Sequence, residues 1–369
     1  MDSYRYLILT EGHLGPHTSK TATSAIRYIP DRVAGVLDSS YAGRTVQDVI
    51  GVGGEVPIVG TIEDGLALDA TALLIGIAPS GGRLPESWRP LLREAMDAGL
   101  HIVSGLHIYL SDDADLSAHA TARGVRIHDL RKPPADLSVS RGLARLVEPL
   151  VVLTVGTDCN IGKMTSALQL KTSLAARGAR VGFAPTGQTG ILIEGWGIAV
   201  DAVIADFIAG AAERLTLQAA EGNDVVLVEG QGSLVHPAYS GVTLGLLHGT
   251  LPDAMILCHK PSRDYPYGGD GAYRWMELPN MRSTIEGIEA AIRPLRESSV
   301  IGISLNTWEM PEADAQATIA QLERETGLPV TDPVRYDAAP LVNAIIAAGE
   351  SKRARLTGVE AKSGARPAA

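Results

Sequence analysis

The sequence predicts an α/β protein built from two doubly wound parallel sheets, and three observations lead there. Short apolar, β-branched runs alternate with helical patterns along most of the chain, the order that parallel strands joined by crossover helices require. Forty glycines and few aromatic residues among 369 suit the many tight strand–helix turns of such folds. A stop at Pro133-Pro134 separates two series of alternation. The expected organisation is a first domain over 1–132, a linker over 133–147, a second domain over 148–350 and a disordered tail over 351–369.

In the first series, Tyr6-Leu-Ile-Leu-Thr10 reads as a strand, followed by a loop rich in Gly and His. Residues Thr18 to Tyr28 read as a helix with a capping hydroxyl, and Arg32 to Asp38 as a second strand ending in an acid. Pro57–Gly60, Ala72–Ile77 and His101–Gly105 are further strands, with a helix over Glu86–Ala98. Asp38 stands where a ribose-binding acid stands in dinucleotide sites. The first turn, Glu11-Gly-His-Leu-Gly-Pro16, lacks the Gly-x-Gly-x-x-Gly pattern, so a solvated acid is an equal reading. The second series has strands starting at 149 and at Arg180–Ala184, Asp224–Glu229, Ala254–Cys258 and Ser299–Ser304.

Composition excludes several classes. Net charge is −10 with no basic run before the short tail, which argues against a nucleic-acid partner. No apolar run is long enough to cross a bilayer, and the N-terminus lacks a charged-then-apolar leader, so a membrane role is not expected. Two cysteines, Cys159 and Cys258, cannot make a disulfide framework and point to a reducing cytoplasm. A symmetric dimer is the default assembly for this class.

The most informative stretch is Val151-Val-Leu-Thr-Val-Gly-Thr-Asp-Cys-Asn-Ile-Gly-Lys-Met-Thr165. An apolar run ends in Gly156, a tight turn follows, and leucines at helical spacing continue to Gly178. This is the layout of a phosphate-binding loop, in which backbone N–H groups and a helix N-terminus wrap an anion. Gly156, Thr157, Asp158, Cys159, Asn160, Ile161, Gly162, Lys163, Met164 and Thr165 are therefore the candidate cofactor-binding residues. Lys163 adds a point charge on the phosphate oxygens. Five residues separate the two glycines, where the usual pattern has four. In this the loop resembles that of dethiobiotin synthetase. The residue after the lysine usually carries the hydroxyl that binds magnesium. Here it is Met164, whose thioether is a poor ligand for a hard cation, and Thr165 substitutes only if the helix start shifts. The anion cradle is intact while the usual magnesium ligand is missing, which favours holding a phosphorylated cofactor over cleaving a triphosphate.

Three more segments are expected at the same sheet edge. Pro185-Thr-Gly-Gln-Thr-Gly190 supplies Gln188 and Thr189 as candidate substrate contacts. The run Glu229-Gly-Gln-Gly-Ser-Leu-Val-His-Pro-Ala-Tyr-Ser240 supplies Glu229 and His236, alternatives for a general base, and Tyr239 and Ser240 as donors to a developing oxyanion. Glu229 is equally placed to be a residual metal ligand, and His236 to cap a turn before Pro237. His259-Lys-Pro-Ser-Arg263 supplies Lys260 and Arg263, cations for substrate carboxylates or a solvated surface pair. Asp201 and Asp206, five apart, point in different directions on a helix, so one of them enters the site. Asp206 is the candidate substrate contact. Cys159, among loop amides that favour a thiolate, is a candidate covalent nucleophile, with a packed loop residue the simpler reading.

Taken together, several motifs resemble the DUF1611 family over nearly the whole chain. They are the loop from Gly156 to Thr165, Gly187-Gln-Thr-Gly190, Val200 to Phe207 and Glu229 to Ser240, with Lys20-Thr-Ala22, Ala78-Pro-Ser-Gly-Gly82 and Gly105-Leu-His107 in the first half. The resemblance implies a Rossmann-like N-terminal domain and a C-terminal domain like P-loop NTPases. It also implies an N-acetyltransferase that moves an acetyl group from acetyl-CoA to D-glutamate in D-amino-acid catabolism. Glu229, His236 and Lys163 are then the candidate catalytic residues. Lys20 reads equally as a second anion site at a helix start or as an exposed helix residue, and Lys20, His107 and Arg131 are candidate cleft-lining residues. The rival reading is an ATP- and magnesium-dependent ligase or kinase related to dethiobiotin synthetase, with Glu229 and Asp201 or Asp206 as metal ligands. A non-catalytic nucleotide sensor ranks behind both, because the polar residues at 229–240 and 259–263 exceed what a sensor needs.

Overall fold

The computed structural model describes residues 3–15, 18–77, 82–268 and 271–363. The chain divides into two compact units, one made of Met1–Pro134 with Gly187–Ala202, the other of Ala135–Thr186 with Val203–Ala369. In chain order the first half contains β1 (Tyr6–Leu9), α1 (Lys20–Tyr28), β2 (Val33–Leu37), α2 (Val46–Ile50), β3 (Ile58–Val59) and α3 (Ile62–Leu66). It continues with β4 (Ala72–Ile75), α4 (Arg89–Asp97), β5 (His101–Ser104), α5 (Ala114–Arg123) and β6 (Ile127–Asp129). Then come β7 (Leu150–Gly156), α6 (Lys163–Ala175), β8 (Val181–Ala184), α7 (Gln188–Glu194), α8 (Ile208–Ala220), β9 (Val225–Val228) and α9 (Ser240–Thr250). Last are β10 (Ala254–His259), α10 (Met281–Ile292), β11 (Ser299–Leu305), α11 (Glu312–Thr326), β12 (Val330–Thr331) and α12 (Ala339–Ser363).

The first unit holds a six-stranded parallel sheet in the order β3-β2-β1-β4-β5-β6, the Rossmann order. Its central strand β1 is buried at every position, which is why it reads as a continuous apolar run rather than an alternation. The second unit holds another six-stranded parallel sheet, β12-β11-β10-β7-β9-β8. Its central strand β7 is buried along all seven residues and delivers the chain to the phosphate loop. Every strand expected from the sequence is present. The edge strands β6 and β12, three and two residues long, are too short to carry a pattern.

Several local expectations change. The segment 187–202, expected in the second domain, belongs to the first unit. There Ile191, Leu192 and Ala199 are buried in one core with Tyr6, Ile8, Ala22, Ile26 and Leu74, so the excursion is held by apolar burial. Residues 135–147, expected as linker, are fastened to the second unit. Glu213, 5% exposed, accepts hydrogen bonds from the Ser140 hydroxyl and the backbone N–H groups of Arg141 and Leu143. The tail is not disordered from 351: α12 runs on to Ser363. Lys352 is the reason, because its ammonium donates to the carbonyls of Val147 and Pro149 and pairs with Asp253, 1% exposed on its side chain. Asp38 is neither solvated nor open for a ribose. It is fully buried and accepts from the Thr10 hydroxyl and the N–H groups of Gly12, Leu14 and Ser40, bracing the loop after β1. The hydroxyls before α1 do not cap it: Thr18 donates to the His13 carbonyl and Ser19 to that of Gly15.

Candidate functional site

At the carboxyl end of β7, Gly156 begins the loop and Lys163 begins α6. A Cβ on Gly156 would lie 3.0 Å from both the Asp158 carbonyl oxygen and Lys163 Nζ, so only glycine lets the loop close this tightly. Gly162 (φ +109) and Asn160 (φ +55) adopt left-handed conformations, the kind of backbone from which anion-binding nests are built. Lys163 is 6% exposed and donates from Nζ to the Asp158 carbonyl at 2.7 Å. Because α6 starts at Lys163, Met164 does occupy the position next to the lysine. Thr165 lies about 100° further around the helix. Ser166 is committed elsewhere, in a 2.7 Å hydrogen bond with Ser304.

Asp158 is the hub of the loop. Fully buried, it accepts from Arg263 Nη1 at 2.6 Å, the Tyr267 N–H at 2.8 Å and the Cys159 N–H at 2.7 Å. The Arg263 guanidinium also lies over the Tyr267 ring, 5.0 Å from its centroid. Arg263, expected to hold a substrate carboxylate, thus already holds one belonging to the protein. His236 is fully buried between the Tyr239 and Tyr273 rings, at centroid distances of 4.5 and 4.8 Å. Its Nδ1 accepts the Ala238 N–H at 3.1 Å, so the ring proton sits on Nε2, which donates to the Tyr267 carbonyl at 2.8 Å. Both ring nitrogens are engaged by backbone, which gives His236 the turn-holding role rather than that of a free base. The ligand atoms of Asp158, Cys159 and His236 lie within 4.8 Å of one another, a spacing a metal ion spans. The imidazole tautomer opposes this, since Nε2 carries a proton and Nδ1 faces a backbone donor. Arg263 adds a positive charge on the same carboxylate.

Glu229 follows β9 and is 4% exposed. Its Oε2 accepts the Thr186 N–H at 2.9 Å, and the Thr186 hydroxyl donates to the Glu229 carbonyl at 2.6 Å. Next to it Gly230 donates to Thr154 Oγ1, and a Cβ there would meet the Thr154 carbonyl at 1.6 Å and Lys163 Cδ at 3.1 Å. The residue after Glu229 thus packs against Thr154 and the Lys163 stem where only glycine fits. Tyr239, 46% exposed, precedes α9, whose first residue is Ser240. Lys260 pairs with Glu309 at 2.9 Å and, like Arg263, is engaged within the protein. His259 beside the loop donates to or accepts from Thr157 Oγ1 at 3.0 Å, and burial pushes its pKa down to about 4. Cys258 is buried and its thiol is pushed up to about 11 by desolvation, so Cys159 is the more accessible cysteine.

Two predicted contacts fall elsewhere. Gln188 and Thr189 open α7 in the first unit, where Gln188 Oε1 accepts from Arg131 Nη1 at 3.1 Å. Arg131, 4% exposed, also pairs with Asp201 at 2.9 Å. Asp201 and Asp206 share no helix: they lie on separate 3-10 turns, Val200–Ala202 in the first unit and Ala205–Phe207 in the second, where Asp206 is exposed. In the first unit, too, the His107 ring lies where a Cβ on Gly82 would be, and burial followed by Arg131 lowers its pKa. Lys20 is exposed at the start of α1, and residues 78–81 of the Ala78–Gly82 motif lie outside the described residues. Sequence reasoning missed Thr186, which braces Glu229, and Asn306, whose Nδ2 donates to the Ile161 carbonyl of the loop at 3.4 Å. The signal for Asn306 was its place directly after the apolar strand β11, the same kind of position as Glu229.

A Rossmann-ordered unit and a parallel-sheet unit with a phosphate loop define an α/β protein of the P-loop class. The chain belongs to the DUF1611 family: residues 138–342 match its P-loop domain and residues 39–133 its Rossmann-like domain, both described as domains of unknown function. It is 42% identical to a D-glutamate N-acetyltransferase of Tritonibacter scottomollicae over 78% of this chain and 84% of that one. With a D-glutamate N-acetyltransferase of a Pseudoalteromonas species it shares 40% identity over 73% of this chain and 79% of that one. A crystal structure of a DUF1611 family protein from Anabaena variabilis is 37% identical. It superposes with a TM-score of 0.87, covering 93% of this chain and 99% of that one. No described helix is long and apolar enough to cross a membrane.

Proposed function

We propose that this protein transfers an acetyl group from acetyl-CoA to the amine of D-glutamate. The observation that carries the reading is a loop between β7 and α6 with the layout of a phosphate loop but a thioether, Met164, at the usual metal-ligand position, in a chain about 40% identical to relatives named for that activity. Coenzyme A brings a pyrophosphate to the loop amides and to Lys163, and no phosphoanhydride has to be cleaved, so no magnesium is required. Lys163 neutralises the phosphate charge after leaving the Asp158 carbonyl. The acceptor ammonium must lose a proton before its nitrogen attacks the thioester carbonyl. Glu229 is the better base, because both nitrogens of His236 are bonded to backbone and Glu229 is braced by Thr186. Glu229 takes the first ammonium proton and releases it to water; the amine nitrogen then forms a bond to the acetyl carbon, the C–S bond breaks, and the second proton lost from that nitrogen passes through the carboxylate to the leaving CoA sulfur. Tyr239 and Ser240, at the start of α9, are the donors for the transient oxyanion.

The test is release of free CoA thiol from acetyl-CoA in the presence of D-glutamate, compared with L-glutamate. Turnover with D-glutamate that falls by at least about a hundredfold in Glu229→Gln supports the proposal, a loss typical of removing a general base. Turnover that requires ATP and magnesium in place of acetyl-CoA contradicts it and favours the ligase or kinase reading.

A further inference from the structure

Five residues after β11 are held by hydrogen bonds and an ion pair around one solvent-facing ring. Asn306 uses both ends of its amide: Nδ2 donates to the Ile161 carbonyl of the phosphate loop, and Oδ1 accepts the Trp308 N–H at 3.3 Å. Thr307 is fully buried and donates from its N–H and its hydroxyl to Asp332, at 2.9 and 2.7 Å, and Asp332 is itself 3% exposed. Arg335 donates to the carbonyls of Thr307 and Met310. Glu309 is bonded by Lys260 at 2.9 Å and by the Ser262 hydroxyl at 3.3 Å, both from the loop after β10. Within this fixed frame the Trp308 side chain is 62% exposed, and among the described residues no ring or cation stacks on it.

A flat aromatic ring presented to water on a hydrogen-bonded backbone offers its face to a planar ligand. The tether through Asn306 places its backbone one amide side chain away from the phosphate loop. A ligand anchored there by a pyrophosphate carries its purine at one end. Aromatic rings bind bases by stacking without reading their edges, and a rigid platform saves the ordering cost of binding.

We propose that Trp308 is the stacking platform for the adenine of the acyl donor, and so a specificity-determining residue for the adenosine portion of coenzyme A. The inference rests on the acetyl-CoA reading above. It makes the donor's affinity divisible: the phosphate loop holds the pyrophosphate, Trp308 the base, and the pantetheine arm is left to reach the reacting carbon.

The experiment is calorimetric titration of the full chain with coenzyme A, with adenosine 3′,5′-bisphosphate and with pantetheine, for wild type, Trp308→Ala and Trp308→Tyr. The expected result is a Kd for coenzyme A and for the bisphosphate about tenfold weaker in Trp308→Ala. Affinity for coenzyme A should be largely retained in Trp308→Tyr, with pantetheine binding unchanged in either variant. Wild type that binds coenzyme A while Trp308→Ala binds it equally well overturns this inference and leaves the acetyl-CoA reading standing. Equal weakening for pantetheine also overturns it, because the loss then does not come from the adenosine end. Wild type that binds no coenzyme A removes both.

Discussion

At the scale of single residues, the phosphate loop is organised from inside by Asp158. Its carboxylate is fully buried and satisfied by Arg263, Tyr267 and Cys159. Breaking such a pair leaves an uncompensated buried charge, which costs about 3–5 kcal/mol. Arg263→Ala is therefore expected to lower unfolding stability by about 3 kcal/mol in a denaturant titration, even with no ligand present. Stability within about 0.5 kcal/mol of wild type would return Arg263 to the role of a free substrate-binding cation. The type and spacing of Gly156, Gly162 and Lys163 made the loop legible in the sequence, because a cradle needs those residues in that order. The partner of Arg263 was not legible: 105 residues separate it from Asp158. Nor was the tautomer of His236, which depends on backbone atoms of Ala238 and Tyr267.

Among elements, the strands were legible because central strands of parallel sheets are buried on both faces and read as continuous apolar runs, as β1 and β7 do. The return of 187–202 to the first unit was not, since Ile191, Leu192 and Ala199 look the same whichever core they enter. The helix α12 was missed for the opposite reason. Its later residues are mostly polar, and its anchor is the single buried Lys352. Replacing Lys352 with Ala should lower stability by about 2–3 kcal/mol, from the loss of three hydrogen bonds to buried acceptors. It should also make residues beyond 350 quickly cleavable in limited proteolysis. A silent substitution would mean the helix is not anchored there.

For the whole molecule, pH dependence follows from His259, whose folded pKa is near 4 because burial disfavours its charged form. In the unfolded chain it titrates near 6.5. The unfolded state therefore binds the proton first. Its contribution to stability is complete above about pH 6.5 and is lost progressively as the pH falls toward 4, by roughly 3 kcal/mol in all. Subtracting the denaturation curve of His259→Gln from that of wild type over pH 4–7.5 isolates this share. A difference that does not change with pH would show that His259 is not held neutral.

The central claim is that the second unit holds acetyl-CoA by its phosphates and does not bind ATP with magnesium. The most direct measurement is calorimetric titration of wild type and Lys163→Ala with acetyl-CoA and, separately, with ATP plus magnesium. The account predicts saturable binding of acetyl-CoA by wild type, a loss of that binding in Lys163→Ala, and no signal with ATP. Tight binding of magnesium-ATP with none of acetyl-CoA would contradict it.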